Sequence, residues 1–507
     1  MASTDPGDSG QAVEVLVLGA GICGIAVAIG LREAGIDDVV IVERSDSVGG
    51  TWHINTYPGC AVDIPSHLYS FSYRLNPNWS RVFATQPELE AYIESVVDDF
   101  GIRDVVRTNT ELLDAQWDIG DQRWHVMTTR GVFRARFFVI AAGPLHEPII
   151  PNLPGQDIFQ GKAFHSSHWP EGIDLTGHAV VAIGTGASAV QFVPAIQPEV
   201  EKLTLLQRTP SWVLPKPDWR IKERSKRRFA RFPILMKLVR MFTWLIMDIF
   251  TTAAIRSLRF ASVLGIFGRL QLRWHIKDQS MRDALTPQYA PTCKRLCLSN
   301  DYYRALAQPN VDLVTSPAVE LRERSVITAD GREIPADTII YGTGFHTLQH
   351  HPVTDRIRGR FGETIAEVWN GNPKAYMGTT INGFPNAFMM FGPNVGTLSG
   401  FTMAEAQTNY IVGAIQAANR LAVAALDVTT EAQNNFVARA DGMLNKSTLA
   451  LGGCDSYYLA DGHRRVSLAW PGTMYSLTRR LRKFDLKAYE PISSRNKSGP
   501  SDIVVGR

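Results

Sequence analysis

The chain has 507 residues, of which 45% are hydrophobic and 20% are charged, and its formal net charge is +3. This length is too great for one compact core and predicts two or three domains, while the composition is that of an ordinary globular protein. So small a net charge gives no sign of a nucleic-acid-binding surface, and no nucleic-acid partner is expected.

The five cysteines are scattered along the chain and form no CxxC pair. This pattern predicts reduced thiols in a cytoplasmic protein, without a disulfide scaffold or a zinc site, and no metal is expected. The first ten residues are polar and predict no secretory signal, while the polar tail from residue 493 predicts disorder.

A first glycine-rich loop follows the apolar strand pattern VEVLVL and precedes a helical pattern. Gly19 permits a tight turn, Gly21 lets a pyrophosphate approach the backbone, and Gly24 lets helix and strand pack closely. About 20 residues further on, as the fingerprint requires, a second strand pattern ends at Glu43. Because a carboxylate there binds a ribose diol and repels a 2′-phosphate, the loop predicts FAD or NAD, with the phosphates at the helix N-terminus.

A second glycine-rich loop follows the strand pattern HAVVAIG. Its candidate nucleotide contacts are Gly184, Gly186, Ala187 and Ser188. The next strand pattern ends in Arg208 and Thr209 instead of an acid. Because a guanidinium can bind a 2′-phosphate through two hydrogen bonds, this loop predicts NADPH in preference to NADH. The alternative is an ordinary surface arginine at a strand end.

The linker between the two loops reads FQGKAFHSSHWP, with Gly161, His165 and a Trp169-Pro170 ending. Two dinucleotide loops joined in this way resemble the class B flavoprotein monooxygenases, and the ending resembles the fingerprint of the Baeyer–Villiger monooxygenases. The strings YPGCAVDIPSHLYSFSY and CDSYY are similar to the branch that includes 4-hydroxyacetophenone monooxygenase. That likeness implies aryl or bulky ketone substrates.

The resemblance implies an α/β fold with two Rossmann-like dinucleotide-binding domains, one for FAD and one for NADP. The FAD domain is expected in two parts, residues 1–147 and 346–507, the second including the C-terminal segment. The NADP domain is also expected in two parts, residues 148–215 and 293–345, on either side of a helical insertion at 216–292.

Further candidate residues come from segments that are similar to those lining the flavin in this family. In GGTWHINTYPGCAVDIPSHLY they are Gly50, Thr51, Trp52, Asp63 and Tyr69. Near residue 390, the GPN turn adds Gly392, Pro393 and Asn394. Core packing is the alternative for the two aromatic side chains. Thr56 stands where relatives often carry arginine, so the sequence assigns no contact there.

Residues 291–306 resemble the family segment in which a lysine-arginine pair precedes DYY. On that match, Lys294 helps to hold the 2′-phosphate, and Arg295 is the catalytic arginine, oriented by Asp63. A guanidinium suits this role because a peroxide anion and a later oxyanion need a positive charge that does not give up its proton. A surface salt bridge is the alternative for Arg295.

The resemblance also implies a reaction. NADPH reduces FAD, O2 then gives a C4a-peroxyflavin, and this peroxide attacks a ketone to form an ester or lactone, with sulfide oxygenation as a side activity. Two other functions stay open at this point. One is an N- or S-oxygenating flavin monooxygenase, and the other is a non-catalytic FAD-binding protein.

Residues 222–278 begin with the basic string KERSKRRFAR and continue rich in Phe, Trp, Ile and Leu. Arg240 and Asp248 are among the charges that interrupt the apolar run, whereas a membrane span needs ~20 predominantly apolar residues. The sequence therefore predicts buried helices with a solvated basic face, and no transmembrane helix. Peripheral attachment to anionic lipid, by a membrane-associated protein, is the second interpretation.

Overall fold

The computed structural model describes residues 10–460 and 465–493. The polar N-terminal segment, for which the sequence predicts no secretory signal, lies almost entirely outside the described residues. The same holds for the tail, for which the sequence predicts disorder. Within the described residues, two separate sheets each carry one of the glycine-rich loops.

The larger sheet carries the first loop. Its central strand, Gln11–Leu18, pairs in parallel with Val39–Val42 on one side and with Gly131–Ile140 on the other. These strands are almost continuously apolar because both faces of the sheet are covered. In order, the strands are Ile357–Arg358, Leu112–Asp118, Arg123–Thr128, Gly131–Ile140, Gln11–Leu18, Val39–Val42 and Val106–Arg107, with Ala387–Met389 also paired to Gly131–Ile140.

The second sheet carries the second loop, and all of its strands are parallel. In order, they are Val311–Val314, Lys202–Leu206, Ala179–Ile183, Thr338–Tyr341 and Lys162–His165. A small antiparallel sheet is formed by Ala318–Arg322, Ser325–Thr328 and Glu333–Pro335. Two-stranded pairs join Val213–Leu214 to Cys297–Leu298 and Ala425–Val428 to Tyr489–Ile492.

The chain passes between the two sheets twice, and the two crossings lie side by side. Glu147–Pro148 leaves the first sheet and pairs antiparallel with Phe345–His346, which returns from the second. The prediction of an α/β fold with two dinucleotide-binding units is therefore confirmed.

Helices cover both sheets. Helix Gly400–Leu421 packs on the first helix, Ile22–Glu33, so closely that a Cβ at Gly30 would lie 2.4 Å from the Thr408 side chain. The other helices outside the insertion are Thr51–Ile54, Gln86–Asp99, Ala187–Ile196, Tyr302–Leu306, Ile365–Trp369, Thr430–Leu444, Thr448–Leu451 and Met474–Leu481. Short 3₁₀ turns occur at Arg103–Val105, Ser166–His168, Leu348–His350, Pro352–Arg356 and Leu486–Ala488.

The insertion consists of helices, which are Glu223–Arg231, Pro233–Arg256, Leu258–His275 and Gln279–Ala284. Among the described residues, Pro233–Arg256 is the one helix long and apolar enough to cross a membrane by length and composition. Only 11% of its apolar window is buried. The prediction of buried helices was therefore wrong for this helix, whose apolar residues mostly face outward.

The prediction of reduced thiols throughout was also wrong. Cys293 and Cys454 form a disulfide, although 161 residues separate them. Cys23, Cys60 and Cys297 are buried free thiols. Residue spacing could not reveal the pair, because only the tertiary fold brings the end of the insertion beside the C-terminal segment.

Candidate active site

The first loop has the close backbone packing that a dinucleotide fingerprint requires. Gly19 has a φ of +104°, and its N–H donates to the Val42 carbonyl at 2.7 Å. A Cβ on Gly24 would lie 1.9 Å from the Gly19 carbonyl oxygen. The helix begins at Ile22, so its first N–H groups stand at the loop where a pyrophosphate binds.

Glu43 and Gly50 are brought to the same loop. The buried Glu43 carboxylate accepts hydrogen bonds from Ala20 N at 2.7 Å and Ser45 N at 2.8 Å, which hold it at the place of a ribose partner. Gly50 lies against Gly21, whose Cβ would be 3.6 Å from the Gly50 Cα. Thr51 and Trp52 follow directly in helix Thr51–Ile54. This arrangement fits an adenine dinucleotide.

Gly24→Ala is expected to abolish most FAD binding, because the added methyl group would overlap the Gly19 carbonyl and push the helix off the strand. The ratio of flavin to protein absorbance after purification measures this. In the wild type, acid precipitation should release all flavin, since the loop binds it without a covalent bond. Gly442→Ala, at a helical site with no atom within 4 Å, is the control. Equal flavin content in the two variants would contradict the assignment.

The second loop leaves open space at its helix. A Cβ on Gly184 would lie 2.4 Å from the Gly342 carbonyl oxygen, so loop and returning strand need glycine there. A Cβ on Gly186 would meet no atom within 4 Å, and helix Ala187–Ile196, which contains Ser188, begins at this space. The Thr185 hydroxyl donates to the Thr209 carbonyl at 2.7 Å, which ties the loop to the end of the next strand. The space fits a nucleotide phosphate.

Two cations near this loop interact electrostatically. Lys294 lies over the Tyr289 ring at 5.4 Å, and Arg208 is exposed nearby. Burial lowers the pKa of the Lys294 ammonium, the Arg208 charge lowers it further, and Asp455 offsets part of the effect. A doubly charged phosphate would relieve this unfavourable interaction between like charges. Together they fit a 2′-phosphate.

Asp63 and Arg295 form a two-point ion pair, as the sequence predicts. Arg295 Nε donates to Oδ2 at 2.7 Å and Nη2 donates to Oδ1 at 2.6 Å. Asp63 raises the pKa of Arg295 further above its ordinary value, so the guanidinium stays charged. Burial alone would raise the pKa of Asp63, but the Arg295 charge and hydrogen bonds outweigh it and the pKa is lowered. Both groups therefore stay ionised at neutral pH.

Aromatic side chains lie near this ion pair. Trp52 Nε1 donates to the Tyr69 hydroxyl at 3.3 Å, and the two rings meet edge to face. Tyr457 and Tyr458, with ring centroids 4.5 Å apart, lie near enough to Arg295 for their hydroxyls to act on its charge. These two tyrosines had no predicted role, although the string CDSYY contains them.

Sequence reasoning also missed a contact between the segment that contains Tyr57 and Ala61 and the helix that starts at the second nucleotide loop. The Tyr57 hydroxyl donates to Gln191 Oε1 at 2.9 Å, and Gln191 Nε2 donates to the Ala61 carbonyl at 2.8 Å. Gln191 lies on the helix that starts at the second loop. No local signal could have found it, since 134 residues separate the partners.

Contacts within the protein hold two of the predicted motifs, one by ring packing and the other by hydrogen bonds. Trp169 of the linker packs on Phe164 and Phe192, with ring centroids 5.1 and 5.8 Å away. Asn394 donates through its backbone N–H to the Ser467 carbonyl at 2.6 Å. Its side chain accepts from Arg465 at 2.7 Å. A flavin contact at Asn394 stays a prediction.

The GPN turn at which Asn394 lies is also tightly packed. A Cβ on Gly392 would lie 2.4 Å from the Gly378 carbonyl oxygen, so the position accepts only glycine. Pro393 follows directly after it. Flavin contacts by Gly392 and Pro393 likewise stay predictions.

Comparison with known proteins agrees with this geometry. The pyridine nucleotide-disulphide oxidoreductase family matches residues 16–243. A Baeyer-Villiger monooxygenase of Streptomyces coelicolor is 42% identical over 481 residues, covering 94% of this chain and 92% of the relative. The closed crystal structure of cyclohexanone monooxygenase has a TM-score of 0.85 and 28% identity, covering 96% of this chain and 100% of that one.

A solved structure named OTEMO, in complex with FAD and NADP, has a TM-score of 0.85 at 26% identity. It covers 95% of this chain and 100% of its own. The relatives thus span both nucleotide loops, the linker and the segment with the Asp63–Arg295 pair. The chain belongs to the Baeyer–Villiger monooxygenases, which use FAD and NADPH to oxygenate their substrates.

Proposed function

We propose that this enzyme converts a ketone into an ester or lactone, with Arg295 as the catalytic residue and Asp63 as the residue that positions it. The two-point ion pair between them carries the proposal. When bound, FAD reduced by NADPH would activate O2 for insertion next to the ketone carbonyl, and side chains of this chain would orient the substrate and stabilise the charge that develops on oxygen.

Arg295 is suited to stabilise negative charge that develops on oxygen. Its hydrogen bonds to Asp63 use Nε and one N–H of Nη2, so further N–H groups of the same planar guanidinium can reach an oxyanion. Because Asp63 fixes the guanidinium from one side, its orientation is set before the substrate binds. A preorganised charge of this kind needs no rearrangement at the moment of reaction.

The substrate class follows from the aromatic surroundings. Tyr69, Tyr457 and Tyr458 lie near enough to Arg295 for their hydroxyls to act on its charge, and the Trp52 ring packs edge to face on Tyr69. Aromatic rings beside the catalytic group favour an aryl or bulky ketone over a small charged one. On the nucleotide side, Arg208 and Lys294 would hold the 2′-phosphate, which fixes the choice of NADPH.

The function is tested with isotope-labelled O2 and four substrates of matched size, which are an aryl ketone, a cyclic aliphatic ketone, a tertiary amine and a sulfide. We expect labelled ester or lactone from the ketones, faster with the aryl ketone, and no amine N-oxide. An N-oxide as main product would favour the N-oxygenating alternative. NADPH oxidation without any oxygenated product would favour the non-catalytic alternative.

We also propose a cytoplasmic enzyme with peripheral membrane contact through residues 222–278. NADPH is generated and consumed inside cells, which supports the first part. The second part is supported by the exposed apolar surface and the basic helix of the insertion.

A further inference from the structure

The insertion exposes apolar side chains where a water-facing helix would carry polar ones. Among the described residues, 34 large hydrophobic side chains are exposed, and 17 of them lie between Phe232 and Trp274. Scattered exposed hydrophobic residues are ordinary, but a contiguous apolar patch of this kind marks an interaction site.

Most of the patch belongs to helix Pro233–Arg256. Its exposed apolar residues are Ile234, Leu235, Leu238, Val239, Met241, Phe242, Leu245, Ile246, Ile249 and Phe250. These positions recur every three or four residues and therefore cover one side of the helix. That side is called the outer face below.

Two of the charges that interrupt this helix in the sequence, Arg240 and Asp248, lie on its inner side. Arg240 Nη1 donates to the His67 carbonyl at 3.1 Å and the Leu68 carbonyl at 2.8 Å. The buried Asp248 accepts from Met474 N at 2.6 Å and Tyr475 N at 3.2 Å. Leaving the protein body to span a bilayer would strip these partners from both charges at great cost. The helix is therefore fixed lengthwise on the surface.

Helix Leu258–His275 extends the outer face. Its exposed apolar residues are Leu258, Val263, Ile266, Phe267, Leu270 and Trp274. Its inner side packs on Trp212, where a Cβ on Gly265 or Gly268 would lie 3.2 Å from the indole ring. The Phe250 and Phe260 rings, 5.7 Å apart, join the two helices.

Positive charge surrounds this apolar surface. Residues 222–278 contain 13 Lys or Arg against three Asp or Glu, whereas acidic residues outnumber basic ones in the rest of the chain. The helix Glu223–Arg231 precedes the long helix directly, and no residue in it is buried. Exposed arginines around the outer face are Arg224, Arg227, Arg228, Arg231, Arg259 and Arg273.

We propose that the outer face docks on an anionic lipid bilayer, with both helices lying in the plane of the membrane, which rests on the membrane contact of residues 222–278 proposed above. The apolar side chains would enter the boundary between headgroups and acyl chains, and the arginines would bind the headgroups. A second copy of the chain is the less favoured partner, because pairing two such faces would bring two strongly cationic segments together.

The test uses the full-length FAD-containing protein in flotation with two kinds of vesicle, phosphatidylcholine alone and phosphatidylcholine mixed with phosphatidylglycerol. We expect binding to the anionic vesicles, and high salt should weaken this binding about tenfold or more. Binding to the neutral vesicles should be weaker by a similar factor. The double variant Phe242→Glu, Phe267→Glu should lose binding. The triple variant Arg227→Gln, Arg228→Gln, Arg231→Gln should lose the preference for anionic vesicles.

Phe361→Glu is the matched control, since Phe361 is 67% exposed and lies outside the insertion. It should bind as the wild type does, and the flavin absorbance of each variant shows that it is folded. The proposal is overturned if the wild type binds neither vesicle, or if both multiple variants bind normally. It is equally overturned by a dimer that the double variant converts to monomers, or by bound protein that alkaline carbonate cannot extract.

Discussion

The Arg295→Ala variant is expected to bind FAD and to be reduced by NADPH at a rate near that of the wild type, yet to form ester about 100- to 1,000-fold more slowly. Hydride transfer needs only that the nicotinamide and flavin rings stack. Oxygen transfer needs positive charge beside the reacting oxygen, and Arg295 is held for this by both oxygens of Asp63.

The reduced flavin of this variant should still react with O2. Because no oxygen atom is inserted into the ketone, both oxygen atoms should leave as hydrogen peroxide in place of ester and water. Stopped-flow traces separate flavin reduction from reoxidation, while ester and peroxide are quantified in the same samples. Arg304→Ala is the control, because Arg304 is an exposed arginine of the same segment and forms a 3.4 Å ion pair with Asp301. Wild-type ester yield from Arg295→Ala would show that the pair is structural.

Asp63→Asn distinguishes positioning from direct chemistry. The amide keeps the size of the side chain and one acceptor oxygen. It loses the charge that raises the pKa of Arg295 and that fixes the orientation of its guanidinium. Ester yield should fall less than in Arg295→Ala, and peroxide release should rise in proportion. This ranking would mark Asp63 as acting through Arg295.

The sequence predicts the parts of this site that depend on local geometry. Gly19 and Gly24 lie five residues apart in one strand-loop-helix unit, so their spacing alone encodes the packing that the structure shows. Arg295 was found through a family motif, and its partner Asp63, 232 residues away, was found in the same way. Neither residue would stand out from its own neighbourhood in the chain.

Side-chain direction was not predictable in the insertion or at the disulfide. Arg240 and Asp248 read as breaks in an apolar run, but their partners, at His67 and Met474, belong to distant segments. Because both charges turn inward, the apolar residues turn outward, which inverts the expected burial. Cys293 likewise reaches its partner only through tertiary structure.

Arg208→Ala is expected to weaken NADPH binding by ~1.5–3 kcal/mol, or about 10- to 150-fold, with little effect on NADH. Only NADPH carries the 2′-phosphate. Arg208 follows the end of strand Lys202–Leu206, and its charge acts on Lys294. Dissociation constants for both nucleotides come from the saturation of flavin reduction in stopped-flow experiments. The control is Arg332→Ala, an exposed arginine of the small antiparallel sheet region, paired with Asp330.

Lys294→Ala completes a double-mutant cycle that tests whether the two cations share one phosphate. Removing Arg208 also removes the unfavourable interaction between the two cations, which offsets part of the loss. Because both side chains would bind the same group, the losses in the double variant should not equal the sum of the single losses. Strict additivity would place Lys294 away from the phosphate. Equal losses for NADPH and NADH in Arg208→Ala would show that Arg208 does not bind the 2′-phosphate.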